Sequence, residues 1–253
     1  VSKAKSELIL EQKKVLAPGE IPLQHLAFQV KDITEQSGDV FIVELLAPAG
    51  KHPDFHAGQY LELLIDDNAY PFTIASAPGG REIQLHIGAD KDHTANQSIL
   101  TSLRSAPTVR ARLPRGDVWL KPNKIEDNLH DPLIFIVAGT GFSQAKAMIE
   151  EQFKHQHSAI YLYWINRDGE GFYSELAQQW ADDNKLHYRA MTPESPDCEF
   201  YTNETVESLI EQQFPTLNNL QVVICGGPNF VYSVLDGLES KGIKQSQTMS
   251  DVY

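Results

Sequence analysis

LIFIVAGTGFSQAKAMIEEQF, residues 133–153, sets an unbroken apolar run, Leu133 to Ala138, directly ahead of a helical pattern that begins at Phe142. A run with no polar face fits a strand buried on both sides, as strands are in parallel sheets. Two glycines between the run and the helix complete a strand-turn-helix unit. The alternation continues downstream through AIYLYWI (159–165), SELAQQWADD (174–183), KLHYRAM (185–191), ETVESLIEQQF (204–214), QVVICG (221–226), NFVYSVLDGLESKG (229–242) and a last short run, QTMSDVY (247–253). That rhythm predicts a doubly wound α/β parallel sheet.

Upstream the texture is different. From Leu23 to Leu120 the sequence offers short β-type runs broken by Gly, Pro and Asp: LAFQV, DVFIVELL, QYLELLI, YPFTIAS, EIQLHIG and TVRARL, with one helix pattern at Ala95 to Leu103. Closely spaced strands with one helix predict a small antiparallel β-barrel. The chain thus divides into a lead-in at 1–22, a barrel at 23–120 and an α/β unit at 130–253, with the break after Lys121-Pro122-Asn123-Lys124. The lead-in ends in Leu16-Ala17-Pro18-Gly19-Glu20-Ile21-Pro22, an extended linker by its prolines.

The 253 residues are 42% hydrophobic and 22% charged, a globular composition, with a formal net charge of -13. That balance excludes nucleic acid and anionic membrane as main partners, because such binding needs clustered cations. Arg104, Arg110, Arg112 and Arg115 form the nearest basic patch and read as barrel-surface charge. Two cysteines, Cys198 and Cys225, make neither a disulfide framework nor a four-cysteine metal site and suit a reducing compartment. No window approaches the roughly 20 apolar residues of a membrane span, and the expectation is a cytoplasmic protein.

Three loops carry chemistry. In Ala138-Gly139-Thr140-Gly141-Phe142-Ser143 the glycines admit close backbone approach and the helix start offers free N–H groups, a seat for a pyrophosphate; a plain turn capped by Thr140 or Ser143 is the structural alternative. Cys225-Gly226-Gly227-Pro228 again ends a strand before a helix and should lie beside the first loop. Its thiol either touches a reacting ring or simply fills space. In Pro71-Phe72-Thr73-Ile74-Ala75-Ser76 strand alternation sets Phe72 and Ile74 on one face and Thr73 and Ala75 on the other, an aromatic plane beside a hydroxyl donor.

Taken in order, PFTIASAP, LHIGAD, LPRGDVWL, LIFIVAGTGFSQAKAMI, IYLYWINR and VVICGGPNF resemble the ferredoxin-NADP reductase superfamily, and within it the NAD(P)H-flavin reductases. The likeness spans residues 23–253. It implies a flavin-binding barrel followed by an NAD(P)-binding domain, with FAD or FMN and NAD(P)H as cofactors. It places Pro71, Phe72, Thr73 and Ser76 along the flavin, with the Thr73 hydroxyl near N5, and His86, Ile87 and Gly88 at its tail. It gives the pyrophosphate to Gly139, Thr140, Gly141 and Ser143, brackets the nicotinamide with Cys225, Gly226 and Gly227, and sets Arg167 at the adenosine ribose or its phosphate. Thr73 and Cys225 become the catalytic candidates, and Tyr253 stands where relatives end in an aromatic near the flavin; no metal is implied.

Two departures stand out. Where the family reads Arg-Pro-Tyr/Phe-Ser, Tyr70 replaces the arginine that reaches the flavin phosphate, with Lys91 and Arg112 as candidate substitutes. The lead-in resembles the tail that follows a plant-type [2Fe-2S] domain, which these 253 residues do not contain; either an ancestor lost it or the sequence begins downstream of it. The leading expectation is a NAD(P)H:flavin oxidoreductase acting on free flavin. The alternatives are a reductase passing electrons to a partner iron-sulfur protein or oxygenase, and a scaffold that has lost its flavin. Partners are then free flavin or a redox protein, the chain being a monomer or weak homodimer. His155 and His157 read as solvated, and Tyr161, Tyr163 and Trp164 as core.

Overall fold

The structure is a computed structural model that describes residues 19–120, 131–154, 159–166, 171–192 and 205–251. Arg167, Tyr253, Cys198, His155, His157 and the stretch 121–130 lie outside the described residues.

Six antiparallel strands form the first unit: β1 (Gln24–Gln36), β2 (Val40–Leu46), β3 (Tyr60–Ile65), β4 (Asn68–Thr73), β5 (Glu82–Gly88) and β6 (Thr108–Arg115), with α1 (Thr94–Ser105) between the last two. Their order is β4-β3-β6-β1-β2-β5. Asp66 and Asp67 sit at φ 47° and 62° between the paired ends Ile65 and Asn68, a hairpin turn whose twist matches the strands it joins. Phe28, Val43, Leu61, Leu63, Leu85 and Leu113 fill the interior.

The strand expected through Ser76 stops at Thr73. Ile74 donates its N–H to Gln59 O (3.1 Å) and Ala75 to Gln84 O (2.7 Å), so the chain turns a corner from β3 toward β5. Both residues are fully buried there, and Ile74 joins Phe72 in the barrel core.

The second unit is a parallel sheet of β7 (Leu133–Ala138), β8 (Ile160–Ile165), β9 (His187–Met191), β10 (Gln221–Cys225) and β11 (Thr248–Met249), ordered β11-β10-β7-β8-β9. It is covered by α2 (Phe142–Gln152), α3 (Ser174–Asp182), α4 (Val206–Gln213) and α5 (Pro228–Ser240). Successive residues of β7 enter opposite cores: Phe135 and Val137 meet Met148, Trp164 and Trp180, while Ile134 and Ile136 meet Ile210 and Val234. Two-sided burial is why LIFIVA is continuously apolar. The chain runs from β7 to β8 and β9, then returns to β10 on the other side of β7. Such a switch point opens a crevice at the strands' carboxyl ends.

The two units share a core, since Val40 and Ala57 of the barrel pack into the cluster containing Phe135 and Trp164. Among the described residues no helix is long and apolar enough to cross a membrane.

Candidate functional site

The switch point is built from two glycine turns that touch. After β7 the chain makes a short 3-10 turn, Gly139–Gly141, with Gly139 in the left-handed region at φ 50°. Its carbonyl accepts from Trp164 Nε1 (3.2 Å), and Phe142 stacks on the same indole with centroids 3.9 Å apart. A Cβ on Gly141 would lie 2.4 Å from Cys225 O, so only glycine lets the first turn rest against the end of β10. Beyond Cys225, Gly227 leads into α5 with Pro228 at its first turn. No side chain caps α2 or α5; the Phe142 N–H at the start of α2 donates back to the carbonyls of Gly139 and Thr140, and α5 opens on Pro228, which has no N–H.

Between these turns and the barrel lies a cavity of about 340 Å³. Thr73 enters it from the end of β4, facing Thr140 and Gly141 of one turn and Cys225, Gly226 and Gly227 of the other. Six residues expected from the sequence therefore meet in one space, contributed by both units.

The other expected residues lie around it. Phe72 and Tyr70 lean on the barrel core, and Pro71 is exposed on the opposite face of β4. Ser76 Oγ accepts the Gln84 N–H (3.1 Å). Ile87 is buried in the barrel, and Gly88 approaches the methyl of Thr140. His86 and Ser143 are 5% and 3% exposed and bonded to each other, Nδ1 to Oγ at 3.0 Å. The Ser143 hydroxyl also donates to Thr140 O (2.9 Å).

Three wall residues had no place in the sequence reading. Gln144 Nε2 donates to Gly58 O (3.0 Å) in the barrel and to the Asp251 carboxylate, and Ser250 lies beside it. Burial, helped by the charge of Asp117 and opposed by the Gln144 hydrogen bond, pushes the Asp251 carboxyl up to about 6. Burial first, then Asp251, drives the Cys225 thiol well above its usual range, so it stays protonated and is no nucleophile. Only the folded topology brings β11's end beside β10; the signal in the sequence was a bare Ser-Asp after a two-residue strand.

At position 70 the tyrosine brings no charge. Arg112 Nε and Arg115 Nε both reach Glu62 Oε2, at 2.5 and 2.9 Å. Burial would raise that carboxyl, but the two guanidinium groups hold it below its ordinary value. Arg112 is thus committed to Glu62, and Lys91 is exposed in the turn ahead of α1. Among the described residues no cluster of three or more His, Cys, Asp or Glu could hold a metal.

Comparison with known proteins follows the same division. Residues 135–236 match the oxidoreductase NAD-binding domain family. The chain is 27% identical over 257 residues to the CDP-6-deoxy-L-threo-D-glycero-4-hexulose-3-dehydrase reductase of Yersinia pseudotuberculosis, covering 100% of this chain and 76% of that one. It is 26% identical over 224 residues to the NAD(P)H-flavin reductase of Vibrio harveyi, covering 83% and 90%. Among solved structures, the Amycolatopsis cytochrome P450 reductase superposes with a TM-score of 0.77 at 20% identity, over 92% of this chain and 70% of that one. An antiparallel barrel closing on the switch point of a parallel sheet, and these matches across both units, support assignment of the chain to the ferredoxin-NADP reductase superfamily.

Proposed function

We propose that this chain is a NAD(P)H-dependent flavin reductase, moving hydride from nicotinamide C4 to flavin N5. The observation that carries this reading is the single cavity in which Thr73 of the barrel faces the glycine turns after β7 and β10. We take 23–120 as the flavin unit and 130–253 as the NAD(P) unit, behind a lead-in at 1–22.

The residues present fit both groups. A Cβ on Gly139 or on Gly227 would meet nothing within 4 Å, so space for a ligand opens where side chains would otherwise stand. The starts of α2 and α5, which no side chain caps, turn their positive dipole ends toward this space, as suits a diphosphate. A bound flavin and a reduced nicotinamide supply the hydride acceptor and donor. What the chain contributes is placement: Gly141, Gly226 and Gly227 let backbone approach a flat ring, and the Thr73 hydroxyl offers a hydrogen bond at its edge. Asp251, held by Gln144, keeps a proton near the same cavity up to about pH 6.

The test is NAD(P)H oxidation with and without riboflavin, FMN or FAD. Stimulation by added flavin is expected; no stimulation by any of the three, with no shift in melting temperature from flavin or nucleotide, would return the chain to a scaffold. A second reading, a reductase that passes electrons to an iron-sulfur protein or oxygenase, is supported by the likeness to a dehydrase reductase, which spans this chain and 76% of that one. A flavin retained through purification, with little turnover of free flavin, would favour it. The two-cysteine composition fits a cytoplasmic setting.

A further inference from the structure

The family resemblance assigns His86 and Ser143 to different ligands, one to the flavin and one to the pyrophosphate. The structure joins them. His86 lies on β5, where a side chain next to Leu85 in a half-buried strand should face outward, yet α2 and the aromatic residues of the second unit cover it. Its ring stacks against Phe142 with centroids 6.3 Å apart and meets the edge of Phe172 at 5.0 Å. Nδ1 is 3.0 Å from Ser143 Oγ, and Nε2 is 3.1 Å from the side-chain oxygen Oε1 of Gln84 on the same strand. Ser143 in turn donates to the carbonyl of Thr140, the middle residue of the first glycine turn (2.9 Å). Two positions along, Gly88 stands against the Thr140 methyl: a Cβ built there is 3.5 Å away. Burial, with Lys146 nearby, depresses the imidazole to about 3, so it is neutral and the link carries no charge at any working pH.

Ser143 therefore has no hydroxyl proton left for a phosphate. Its hydrogen bonds are used between the barrel and the turn.

We infer that His86 is a positioning residue that couples the flavin site to the nucleotide site, holding the Gly139–Gly141 turn through Ser143 and the Thr140 carbonyl. The inference rests on the flavin and NAD(P) reading above. A ligand that orders the end of β5 orders the turn as well, so the second ligand meets a turn whose conformational freedom is already spent. Linkage makes the effect reciprocal: each ligand tightens the other by the same factor.

Calorimetric titration of the full chain with NAD+ or NADP+, whichever the wild type binds, with and without saturating riboflavin, reads this directly. Riboflavin should tighten nucleotide binding in the wild type by about fivefold or more. His86→Phe keeps a planar ring but neither nitrogen; nucleotide binding should weaken by about tenfold and lose its response to riboflavin. His86→Asn, which restores a polar group near the Nδ1 position, should recover part of both. If His86→Phe does not fold, Ser143→Ala takes its place with the same expected loss. Wild-type affinity and coupling in His86→Phe or Ser143→Ala, or an Asn variant as impaired as the Phe variant, would overturn the inference. A wild type that binds both ligands independently sinks the coupling alone; one that binds neither sinks the flavin reductase reading with it.

Discussion

Gly141 is the tightest point of the site, and replacing it by alanine is the most direct test of how the two turns work together. The added methyl would stand 2.4 Å from Cys225 O, 2.6 Å from Cys225 C and 2.9 Å from Gly226 N. All three atoms are main chain, so no rotamer change relieves the overlap. Ordinary contact needs roughly 3.4 Å or more, so the first turn and the end of β10 must part by about 1 Å. The backbone at Gly141 is right-handed, φ −55° and ψ −18°, and the cost is therefore steric rather than conformational. Overpacking of that size costs about 1–3 kcal/mol of stability. A displacement of about 1 Å between groups that position the reacting rings costs on the order of 100-fold in rate. Gly227 is the control: its φ of −67° suits any residue, and a Cβ there meets nothing within 4 Å. Gly227→Ala should keep wild-type stability within about 0.5 kcal/mol, yet weaken NAD(P)H binding by about tenfold by filling the ligand's space. Urea unfolding gives the stabilities, and steady-state NAD(P)H oxidation with saturating riboflavin gives kcat and KM. Gly141→Ala with wild-type stability and rate, or Gly227→Ala as destabilised as Gly141→Ala, would refute the reasoning.

Asp251 holds its proton up to about 6 in the fold against 3.8 normally, so its contribution to stability is full below about pH 4 and is lost as pH rises through about 6. Asp251→Asn should then melt above the wild type at pH 8 and level with it at pH 4; an equal gap at both would point to packing instead. Lys146 is 6% exposed, donates to Ala75 O (3.1 Å) and pairs with Glu150 (2.8 Å). Lys146→Met leaves a buried carbonyl and a carboxylate without that donor and should cost about 1–3 kcal/mol in urea unfolding, a loss under about 0.5 kcal/mol arguing against the contact. Tyr70→Arg should tighten FMN and FAD by about tenfold with riboflavin unchanged; an equal gain for riboflavin would mean the new side chain touches the ring rather than a phosphate.

How much of this was legible follows from the reach of each interaction. LIFIVA declared itself because a strand between two cores has no polar position to spare, and the glycine turns because their backbone requirement is local. The end of β4 did not, since the carbonyls that hold Ile74 and Ala75 belong to Gln59, just ahead of β3, and to Gln84 of β5. His86 defeats the two-residue period for a similar reason. Alternation within β5 describes one sheet and its own core, whereas the outward face of that strand is buried by a second unit whose sequence begins more than forty residues later.

The helix FSQAKAMIEEQ shows what a periodicity argument leaves out. Its polar residues suggest a solvated face, but Gln144, Lys146 and Gln152 are buried with the apolar ones. They have no water to face because α2 lies between the sheet and the barrel, and barrel carbonyls accept from two of them, Gly58 from Gln144 and Ala75 from Lys146, and, just past the helix, Pro78 from Lys154. Each of those carbonyls flanks the chain that delivers Thr73 to the cavity. The gap between Thr73 and the glycine turns is therefore set by directional hydrogen bonds from one helix as well as by the shared core. Apolar contact alone would tolerate sliding, and hydrogen bonds with fixed donors do not. A site whose chemistry is mainly placement depends on that difference: polar substitutions along α2 should change the rate while leaving each unit's own core intact.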